Sequence, residues 1–368
     1  MGPGRSSRPQ ESRGTPTPGH PGEPGVGVDL PPPFCADDEA TRWLFALNRF
    51  GIRPGLQRIR GLLADLGHPE RGMRVLVVAG TNGKGSTTRI LATLLEAAGL
   101  RTATYTSPHL LQVHERIRIG DRTVAPADFS ARVAGIRPLV EKHDASWFET
   151  LTALMVAIAR DEGVDLLCCE VGLGGRLDAS NALPAEAVLL TSVGLDHQKI
   201  LGETRQEILA EKLGLLKEGA PLYCGVAEDL RGQVFATAVA AGSPALFLDE
   251  LARWDDAAGV WDLVLRDRVI AGLPDPGTAV LRRNVALAVL ALADLESRGR
   301  GRMLPPDPAA ALGNLFLPGR YQRVLADPDW VFDTAHNPQA LEATLTAFRE
   351  RPAAGRRILV YGAMDDKP

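Results

Sequence analysis

The feature that most constrains the fold of this chain is a short apolar run that leads directly into a glycine-rich turn. Residues 73–79 (MRVLVVA) form an almost unbroken, valine-rich series, which predicts a buried strand of a parallel sheet. The turn at 80–86 (GTNGKGS) follows at once, and apolar residues then recur at helical spacing over 87–98. Gly99 comes next and suits the end of a helix. A strand, a glycine-rich turn and a helix in this order predict a phosphate-binding loop.

The residue types in this turn fit phosphate chemistry. Glycines let the backbone turn tightly and direct its N–H groups at phosphate oxygens. Lys84 can neutralise phosphate charge, and the hydroxyl of Ser86 or Thr87 can reach a magnesium ion. The spacing departs from that of the standard P-loop, because only two residues separate Gly80 from Gly83. In addition, Gly85 stands between Lys84 and Ser86. We interpret the turn as a nucleotide site, with an ordinary glycine-rich loop as the alternative.

Strands and helices alternate along most of the remaining chain. Further strands are predicted at 101–106, 165–171, 187–193 and 221–224, and helices at 148–162, 204–217 and 282–295. This alternation favours a doubly wound α/β core. The composition around 255–277 is mixed, with many turn residues. A second alternation starts near residue 318, with strands at 321–325, 330–333 and 356–361 and a helix at 338–351.

These patterns divide the chain into three predicted parts. Residues 1–36 are rich in Pro and Gly and predict a disordered extension. Residues 37–310 form the predicted nucleotide-binding catalytic domain. Residues 311–368 form a smaller C-terminal α/β domain.

Composition and charge exclude several classes of function. Lys plus Arg number 41 and Asp plus Glu number 45, so the net charge is −4. A nearly neutral chain without a basic block lacks the electrostatic footprint of a nucleic-acid binder. The longest apolar runs, at 151–159 and 285–293, are far shorter than the roughly 18 residues that cross a bilayer.

The cysteine pattern favours an intracellular, cytoplasmic protein. The chain has four cysteines, Cys35, Cys168, Cys169 and Cys224, and none forms a CxxC pair. We interpret them as small buried hydrophobic residues. The first residues also lack the apolar segment of a signal peptide.

Polar residues follow the ends of predicted strands, where ligands bind in doubly wound sheets. The carboxylate of Glu170 suits magnesium, or forms only a local cap or ion pair. His197 is either a metal ligand or an ordinary loop histidine. Asp333 can accept hydrogen bonds from a ribose. Asn337 can cap the helix that follows, and Pro338 suits the first position of that helix.

Taken together, these motifs resemble the folylpolyglutamate synthase and dihydrofolate synthase family, within the Mur-ligase-like ATP-dependent amide ligases. The shared blocks stand in family order from residue 50 to the end of the chain. They are FGIRPGLQRI at 50–59, VAGTNGKGST at 78–87, TSPHL at 106–110, ERIRI at 115–119, FETLTA at 148–153, EVGLGGRLDASN at 170–181, GLDH at 194–197, GETRQEILAEKLGLLK at 202–217, LPGRYQ at 317–322 and DTAHNP at 333–338. The blocks EVGLGGRLDASN, LPGR and DTAHNP are far more specific than a phosphate loop alone.

The resemblance implies a fold and an activity. The implied fold is a Mur-ligase-like, doubly wound P-loop domain followed by a smaller Rossmann-like domain. In the implied reaction, ATP phosphorylates a pterin or folate carboxylate, and the amine of L-glutamate attacks the acyl phosphate to form an amide. The acceptor would be dihydropteroate, tetrahydrofolate or both. The protein would be a cytoplasmic monomer that uses ATP and Mg²⁺ and binds neither nucleic acid nor a membrane.

The resemblance also implies roles for individual residues. The nucleotide would be bound by Thr81, Asn82, Gly83, Lys84, Gly85, Ser86, Asn284, Arg320 and Asp333, and magnesium by Ser107, Glu170 and His197. The pterin would be bound by Gly51, Ile52, Arg53, Pro54, Ser146, Trp147, Phe148, Glu149, Leu177, Asp178 and Ala179. Catalysis would involve Lys84, Lys212 and His336. Lys212 matches a lysine that the family carries as a carbamate, with an exposed helix lysine as the alternative.

Three departures from the family pattern affect these expectations. Thr334 replaces the usual glycine of the DGAHNP motif, and residues 281–283 replace the usual His-Gln pair before Asn284. The family's C-terminal domain continues for several strands beyond residue 367. We therefore expect an incomplete, mobile C-terminal segment and little ligase activity. The alternative functions are a nucleotide-binding, catalytically impaired fragment and a related Mur-type amino-acid ligase with another acceptor.

Overall fold

The computed structural model describes residues 1–2, 38–47, 53–257, 259–266, 268–324, 328–352 and 355–362. Apart from its first two residues, the predicted extension at 1–36 lies outside this part of the chain, as does Cys35.

An eight-stranded sheet forms the centre of the fold. Its strands are β1 (Val75–Ala79), β2 (Thr102–Tyr105), β3 (Ile117–Ile119), β4 (Arg122–Thr123), β5 (Leu166–Glu170), β6 (Ala185–Leu190), β7 (Leu222–Cys224) and β8 (Ala245–Phe247). They lie in the order β4-β3-β2-β5-β1-β6-β7-β8, and every neighbouring pair is parallel except the two that involve β3. The predicted α/β class with a large, mostly parallel sheet is confirmed.

Helices flank this sheet and continue to the C-terminal part. They are α1 (Glu39–Ala46), α2 (Gln57–Asp65), α3 (Lys84–Ala97), α4 (Pro126–His143), α5 (Trp147–Asp161), α6 (Gln198–Leu201), α7 (Arg205–Leu213), α8 (Arg231–Ala240), α9 (Leu248–Leu251), α10 (Ala279–Ser297), α11 (Pro308–Gly313) and α12 (Pro338–Glu350). In the described part of the chain, no helix combines the length and the apolar character that a membrane crossing requires.

Strand β1 shows how the sheet is buried on both faces. Val75 and Val77 belong to one apolar core, together with residues of α2, α4 and α5, whereas Leu76 and Val78 belong to a second core with α3 and α10. Side chains of a strand point alternately to the two faces, so an unbroken apolar run is what a doubly covered strand requires. Each buried valine or leucine contributes about 1.5–3 kcal/mol.

The cysteines within the described residues behave as the sequence predicts. Cys168, Cys169 and Cys224 are free and buried. Cys168 packs in the core with α3, and its neighbour Cys169 packs in the opposite core. Burial raises the pKa of all three thiols, which keeps them in the unreactive protonated form.

A three-stranded antiparallel sheet occupies the region where the sequence showed only mixed composition. It consists of β9 (Ala252–Ala257), β10 (Val260–Leu265) and β11 (Arg268–Pro274), with β10 in the middle. Trp261 and Leu263 are fully buried and join the core formed with α3 and α10. The sheet therefore covers one face of the α/β core.

The C-terminal part contains a hairpin of β12 (Gln322–Val324) and β13 (Trp330–Phe332), followed by α12. The predicted strand at 356–361 is wrong for this structure, because residues 355–362 adopt no regular element. Ile358 and Val360 are exposed there. An apolar run becomes a strand only where a neighbouring strand satisfies its backbone hydrogen bonds, and none of the described strands pairs with this one.

Candidate active site

A cavity of about 560 Å³ opens at the carboxyl ends of β1, β5 and β6. All the predicted nucleotide, metal and catalytic residues line it. They are Thr81, Asn82, Gly83, Lys84, Gly85, Ser86, Ser107, Glu170, His197, Lys212, Asn284, Arg320, Asp333 and His336. The structure therefore brings together residues that lie more than 250 positions apart in the sequence. Their roles remain predictions.

The glycine-rich turn runs between β1 and α3 and requires glycine at two positions. Gly80 has a φ of 151°, and a Cβ there would lie 1.9 Å from Oγ1 of Thr191. Gly83 has a φ of 86° and immediately precedes α3. A side chain at either position would be strained or would clash. The turn therefore packs tightly against the end of β6, with its residues facing the cavity at the N-terminus of α3.

Lys84 is folded back over this turn. Its Nζ donates to the carbonyl oxygen of Thr81 at 3.1 Å. Burial lowers the pKa of Lys84, and the charges of Glu170 and Asp196 act in the opposite direction. An ammonium held in this position faces the space that the cavity offers to a phosphate.

Glu170 is the buried carboxylate of the cavity. It ends β5, is 3% exposed, and accepts a hydrogen bond from the backbone N–H of Ser107 at 2.8 Å. Burial raises its pKa, and the positive charge of Lys84 opposes this shift. Gly85 leaves room beside it, since a Cβ there would lie 3.1 Å from Oε2. A cation in the cavity would stabilise this carboxylate.

The other two predicted metal residues also reach the cavity. Ser107 follows β2, and His197 precedes α6 with a left-handed φ of 51°. The His197 side chain is 44% exposed, and its Nε2 lies 4.0 Å from Oδ1 of Asp196. Within the described residues, no group of three or more His, Cys, Asp and Glu side chains could hold a metal by itself. A metal here would therefore also need the hydroxyl of Ser107 or oxygens of the substrates.

Lys212 lies on α7 and is 4% exposed, which excludes the alternative of an exposed helix lysine. Its Nζ donates to the carbonyl oxygen of Gly80 at 2.9 Å. Burial lowers its pKa to about 7, and the nearby charge of Lys84 adds to this effect. A large fraction of this amine is therefore uncharged near neutral pH.

Asn284 lies on α10, directly beneath the glycine-rich turn. A Cβ at Gly83 would lie 2.7 Å from its Oδ1. The residue is buried, yet its Nδ2 has no hydrogen-bond partner within the described part of the chain. Leaving a buried donor unpaired costs about 1–3 kcal/mol. An acceptor on a bound ligand would recover this energy.

Two loops of the C-terminal part border the same cavity, and Asp333 joins them. Its Oδ2 accepts from the backbone N–H of Tyr321 at 2.7 Å, and its Oδ1 accepts from that of Ala335 at 2.7 Å. These bonds fix the residue that follows Arg320 and the residue that precedes His336. Nδ1 of His336 lies 2.9 Å from the carbonyl oxygen of Thr334.

The start of α12 has the predicted cap. Asn337 Oδ1 accepts from the N–H of Ala340 at 2.9 Å, and Pro338 occupies the first helical position. The sequence did not reveal that Asn337 also contacts Asn82 and Asp196, which both line the cavity. The GLDH block contains Asp196 beside His197, and this adjacency is the only signal that could have drawn attention to it.

Comparison with known proteins identifies the family. The family model for the Mur ligase middle domain matches residues 78–229, and the model for the Mur ligase glutamate ligase domain matches residues 319–368. The dihydrofolate synthase/folylpolyglutamate synthase of Bacillus subtilis is 32% identical, over 91% of this chain and 81% of that protein. The Escherichia coli protein of the same name is 33% identical, over 88% of this chain and 75% of that protein.

The chain belongs to the dihydrofolate synthase/folylpolyglutamate synthase family. The apo form of L. casei FPGS matches the fold with a TM-score of 0.79 at 30% identity, over 85% of this chain and 80% of that chain. Escherichia coli FolC in complex with DHPP and ADP matches with a TM-score of 0.79 at 31% identity, over 86% of this chain and 76% of that chain. The predicted family and its ATP-dependent ligase class are confirmed.

None of the described pterin positions that the family resemblance implies lines the cavity. Ser146 caps α5 and forms a reciprocal capping box with Glu149, whose Oε2 also accepts from Nε of Arg58 at 3.0 Å. Phe148 packs on Gly172, where a Cβ would lie 2.1 Å from the ring. Trp147 stacks under the guanidinium of Arg116, 4.4 Å from the ring centroid.

A second group of implied pterin positions supports the loop at 172–174, which does line the cavity. Asp178 is buried, and its Oδ2 accepts from the N–H of Leu173 at 3.0 Å. Leu177 and Ala179 flank it.

The remaining implied pterin positions are residues 51–54. Arg53 pairs with Asp144 at 2.5 Å, and Pro54 follows it, whereas Gly51 and Ile52 lie outside the described residues.

Proposed function

We propose that this chain uses ATP to ligate L-glutamate to the carboxylate of a pterin or folate through an acyl phosphate. The observation that carries the proposal is the cavity at the sheet edge. It combines a phosphate-binding turn, a buried lysine, a buried carboxylate and residues of the C-terminal ligase domain. The names of the relatives, which are dihydrofolate and folylpolyglutamate synthases, support this choice of substrates.

The reaction needs activation because a carboxylate has no good leaving group. A carboxylate oxygen of the acceptor attacks the γ-phosphorus of ATP, and ADP leaves. The amine nitrogen of glutamate then attacks the acyl carbon, inorganic phosphate leaves, and the amine loses a proton. The contribution of the protein is to hold three charged substrates in contact and to neutralise phosphate charge.

Lys84 and the glycine-rich turn would carry out the phosphate part of this task. The backbone N–H groups of the turn and the N-terminus of α3 favour anions, and Lys84 adds a full positive charge. Arg320, from the C-terminal part of the chain, also lines the cavity. Its charge reaches both Lys84 and Glu170, on which it acts electrostatically. We assign these residues to the binding of the triphosphate.

The adenosine part of ATP would lie toward α10 and the C-terminal loops. Nδ2 of Asn284, which has no hydrogen-bond partner among the described residues, is available to a ligand acceptor there. Asp333 keeps lone pairs for a ribose hydroxyl while it holds the loop backbone. His336 faces Asp196, with 3.9 Å between Nε2 and Oδ2, and we place it near the transferred phosphate.

Magnesium fits the donor set of Glu170 and Ser107, because both offer oxygen ligands. His197 is the least typical magnesium ligand of the three, and one related synthase structure contains manganese, AMPPNP and L-glutamate. When bound, the ion supplies positive charge to the phosphate oxygens. In this chain, Glu170 is preorganised for it by the N–H of Ser107.

Lys212 supports a further proposal, that its amine is carbamylated. A neutral amine adds CO₂ and releases one proton, which leaves an anion in place of a buried cation. This change would remove the repulsion between Lys212 and Lys84, which contributes to the low pKa of Lys212. The carbamate would then serve as an anionic ligand within the cavity.

We assign pterin binding to the positions that the family resemblance implies, residues 51–54, 146–149 and 177–179. The described ones include two neighbouring aromatic rings, Trp147 and Phe148, and the buried carboxylates of Glu149 and Asp178. We further propose that the synthase acts in the cytoplasm as a monomer.

The test is an ADP-release assay with dihydropteroate or tetrahydrofolate, with and without L-glutamate. We expect ADP release to depend on both the pterin and glutamate. Lys84→Ala should abolish most of it, whereas Lys142→Ala is the matched control, because Lys142 is exposed and pairs with Asp65. ADP release that needs no pterin, or that Lys84→Ala leaves intact, would contradict the proposal.

A further inference from the structure

The side chains of Asn82, which lines the cavity, and Asn337 form a reciprocal amide pair. Nδ2 of Asn337 donates to Oδ1 of Asn82 at 2.9 Å, and Nδ2 of Asn82 donates to Oδ1 of Asn337 at 3.2 Å. Asn337 is 2% exposed. The pair therefore links the partly exposed glycine-rich turn to the start of α12, where Asn337 is shielded from water.

Neighbouring side chains brace this pair. Nδ2 of Asn82 also donates to Oε1 of Gln339 at 3.1 Å, and Nδ2 of Asn337 lies 3.3 Å from Oδ2 of Asp196. Gln339 rests on Gly194, where a Cβ would lie 2.4 Å from its Oε1. The start of α12 thus contacts both the glycine-rich turn and the loop that follows β6.

These contacts use the hydrogen-bonding groups of Asn82. Its backbone N–H donates to Oγ of Ser192 at 3.1 Å, and its carbonyl oxygen accepts from Oγ1 of Thr191 at 2.6 Å. Both hydrogens of its side-chain amide are engaged by Asn337 and Gln339. Asn82 is therefore better suited to docking the C-terminal segment than to binding phosphate.

We infer that Asn82 and Asn337 are positioning residues that hold the two loops carrying Arg320 and His336 beside the glycine-rich turn. The link to the turn differs from the helix cap in one respect: both use Oδ1 of Asn337, but only the link also uses its Nδ2. The effect that we expect on enzyme kinetics rests on the proposed function. The contact that holds the C-terminal loops beside the turn does not depend on it.

The first measurement is hydrogen exchange of the backbone amides at 338–350. Asn337→Ser keeps a good N-cap oxygen and removes the amide donor, and Asn82→Ala removes the other partner. Each variant should raise exchange at 338–350 by about tenfold, as the loss of one or two net hydrogen bonds implies, and leave α10 unchanged. The double variant should add little to either single variant. Asp307→Ser is the matched control, since Asp307 caps α11 through Ala310 and has no such partner across the cavity among the described residues.

The second measurement is kinetic. Each variant should lower kcat/KM for ATP by about tenfold and leave the KM of the pterin unchanged, whereas Asp307→Ser should change neither. Unchanged exchange at 338–350 overturns the inference, and so does faster exchange with an unchanged kcat/KM for ATP. If the wild-type chain releases no ADP with any pterin, the proposed function fails. In that case, two measurements still decide the role of the pair. Hydrogen exchange at α12 should rise in both variants, and their affinity for a non-hydrolysable ATP analogue should fall.

Discussion

Lys212 offers the most quantitative test of the site, because its environment sets the charge of its amine. An ordinary lysine has a pKa near 10.5, whereas burial and the charge of Lys84 lower that of Lys212 to about 7. At pH 7.5, roughly three quarters of Lys212 is then uncharged, against roughly one in a thousand for an ordinary lysine. Only the uncharged amine adds CO₂. The structure therefore raises the population of the reactive, uncharged amine by several hundredfold over that of an exposed lysine.

The assay is ¹³C NMR of the protein in ¹³C-labelled bicarbonate. The wild type should give a carbamate resonance that Lys212→Ala lacks, while Lys217→Ala, which removes a half-buried lysine bound to Asn181, should retain it. Removal of CO₂ should lower turnover reversibly, and a short carboxylic acid should partly restore the turnover of Lys212→Ala. Equal carbamate intensity in the wild type and Lys212→Ala would refute the reasoning.

The same pKa shift makes a prediction about stability when CO₂ is excluded. The folded pKa of Lys212 lies below its unfolded value, so between about pH 7 and 10 the unfolded chain binds more protons than the folded chain. The free energy of unfolding should therefore rise with pH across this window, and Lys212→Met should weaken the rise. Chemical denaturation at several pH values measures both slopes, and identical slopes would contradict a lowered pKa.

Three further substitutions test the site and its support. Lys84→Ala should lower turnover by about 10²-fold or more with the fold intact, because it removes a fixed charge that faces the transferred phosphate; near-normal turnover would refute this role. Glu170→Gln keeps the shape and removes the charge, so a titration with Mg²⁺ should show a sharply raised requirement, and an unchanged titration would make Glu170 structural. Gly172→Ala should lower the free energy of unfolding by about 1–3 kcal/mol, because its Cβ would overlap the ring of Phe148. In the same denaturation assay, Gly135→Ala should be neutral or stabilising, since nothing lies within 4 Å of its added Cβ.

The strands of the parallel sheet were predictable because a strand that is buried on both faces consists of an almost unbroken run of apolar residues. The apolar run at 73–79 became β1, and 165–171 became β5 (Leu166–Glu170), each within two residues. Helix α3 begins at Lys84, three residues before the predicted start, because the glycine-rich turn already contributes its first helical turn. Gly99 follows α3 with a φ of 94°, as predicted.

The features that the sequence did not predict depend on packing and on contacts between distant residues, which local sequence patterns do not reveal. In β10, Trp261 and Leu263 alternate with polar or exposed residues, and the nearby turn residues obscured this period of two. The run at 356–361 has strand character, but a strand also needs a paired neighbour. Asn82 and Asn337 lie 255 residues apart, so only the folded chain reveals their contact.

The most direct test of the proposed acyl phosphate follows an oxygen atom from the acceptor carboxylate to the released phosphate. An acceptor pterin that carries ¹⁸O in both carboxylate oxygens is incubated with the chain, ATP, Mg²⁺ and L-glutamate, and the released phosphate is analysed by mass spectrometry. An acyl phosphate requires one ¹⁸O atom to pass to phosphate for each amide formed, and the account predicts this one-to-one ratio. Amide formation with unlabelled phosphate, or phosphate release without an amide, would contradict it.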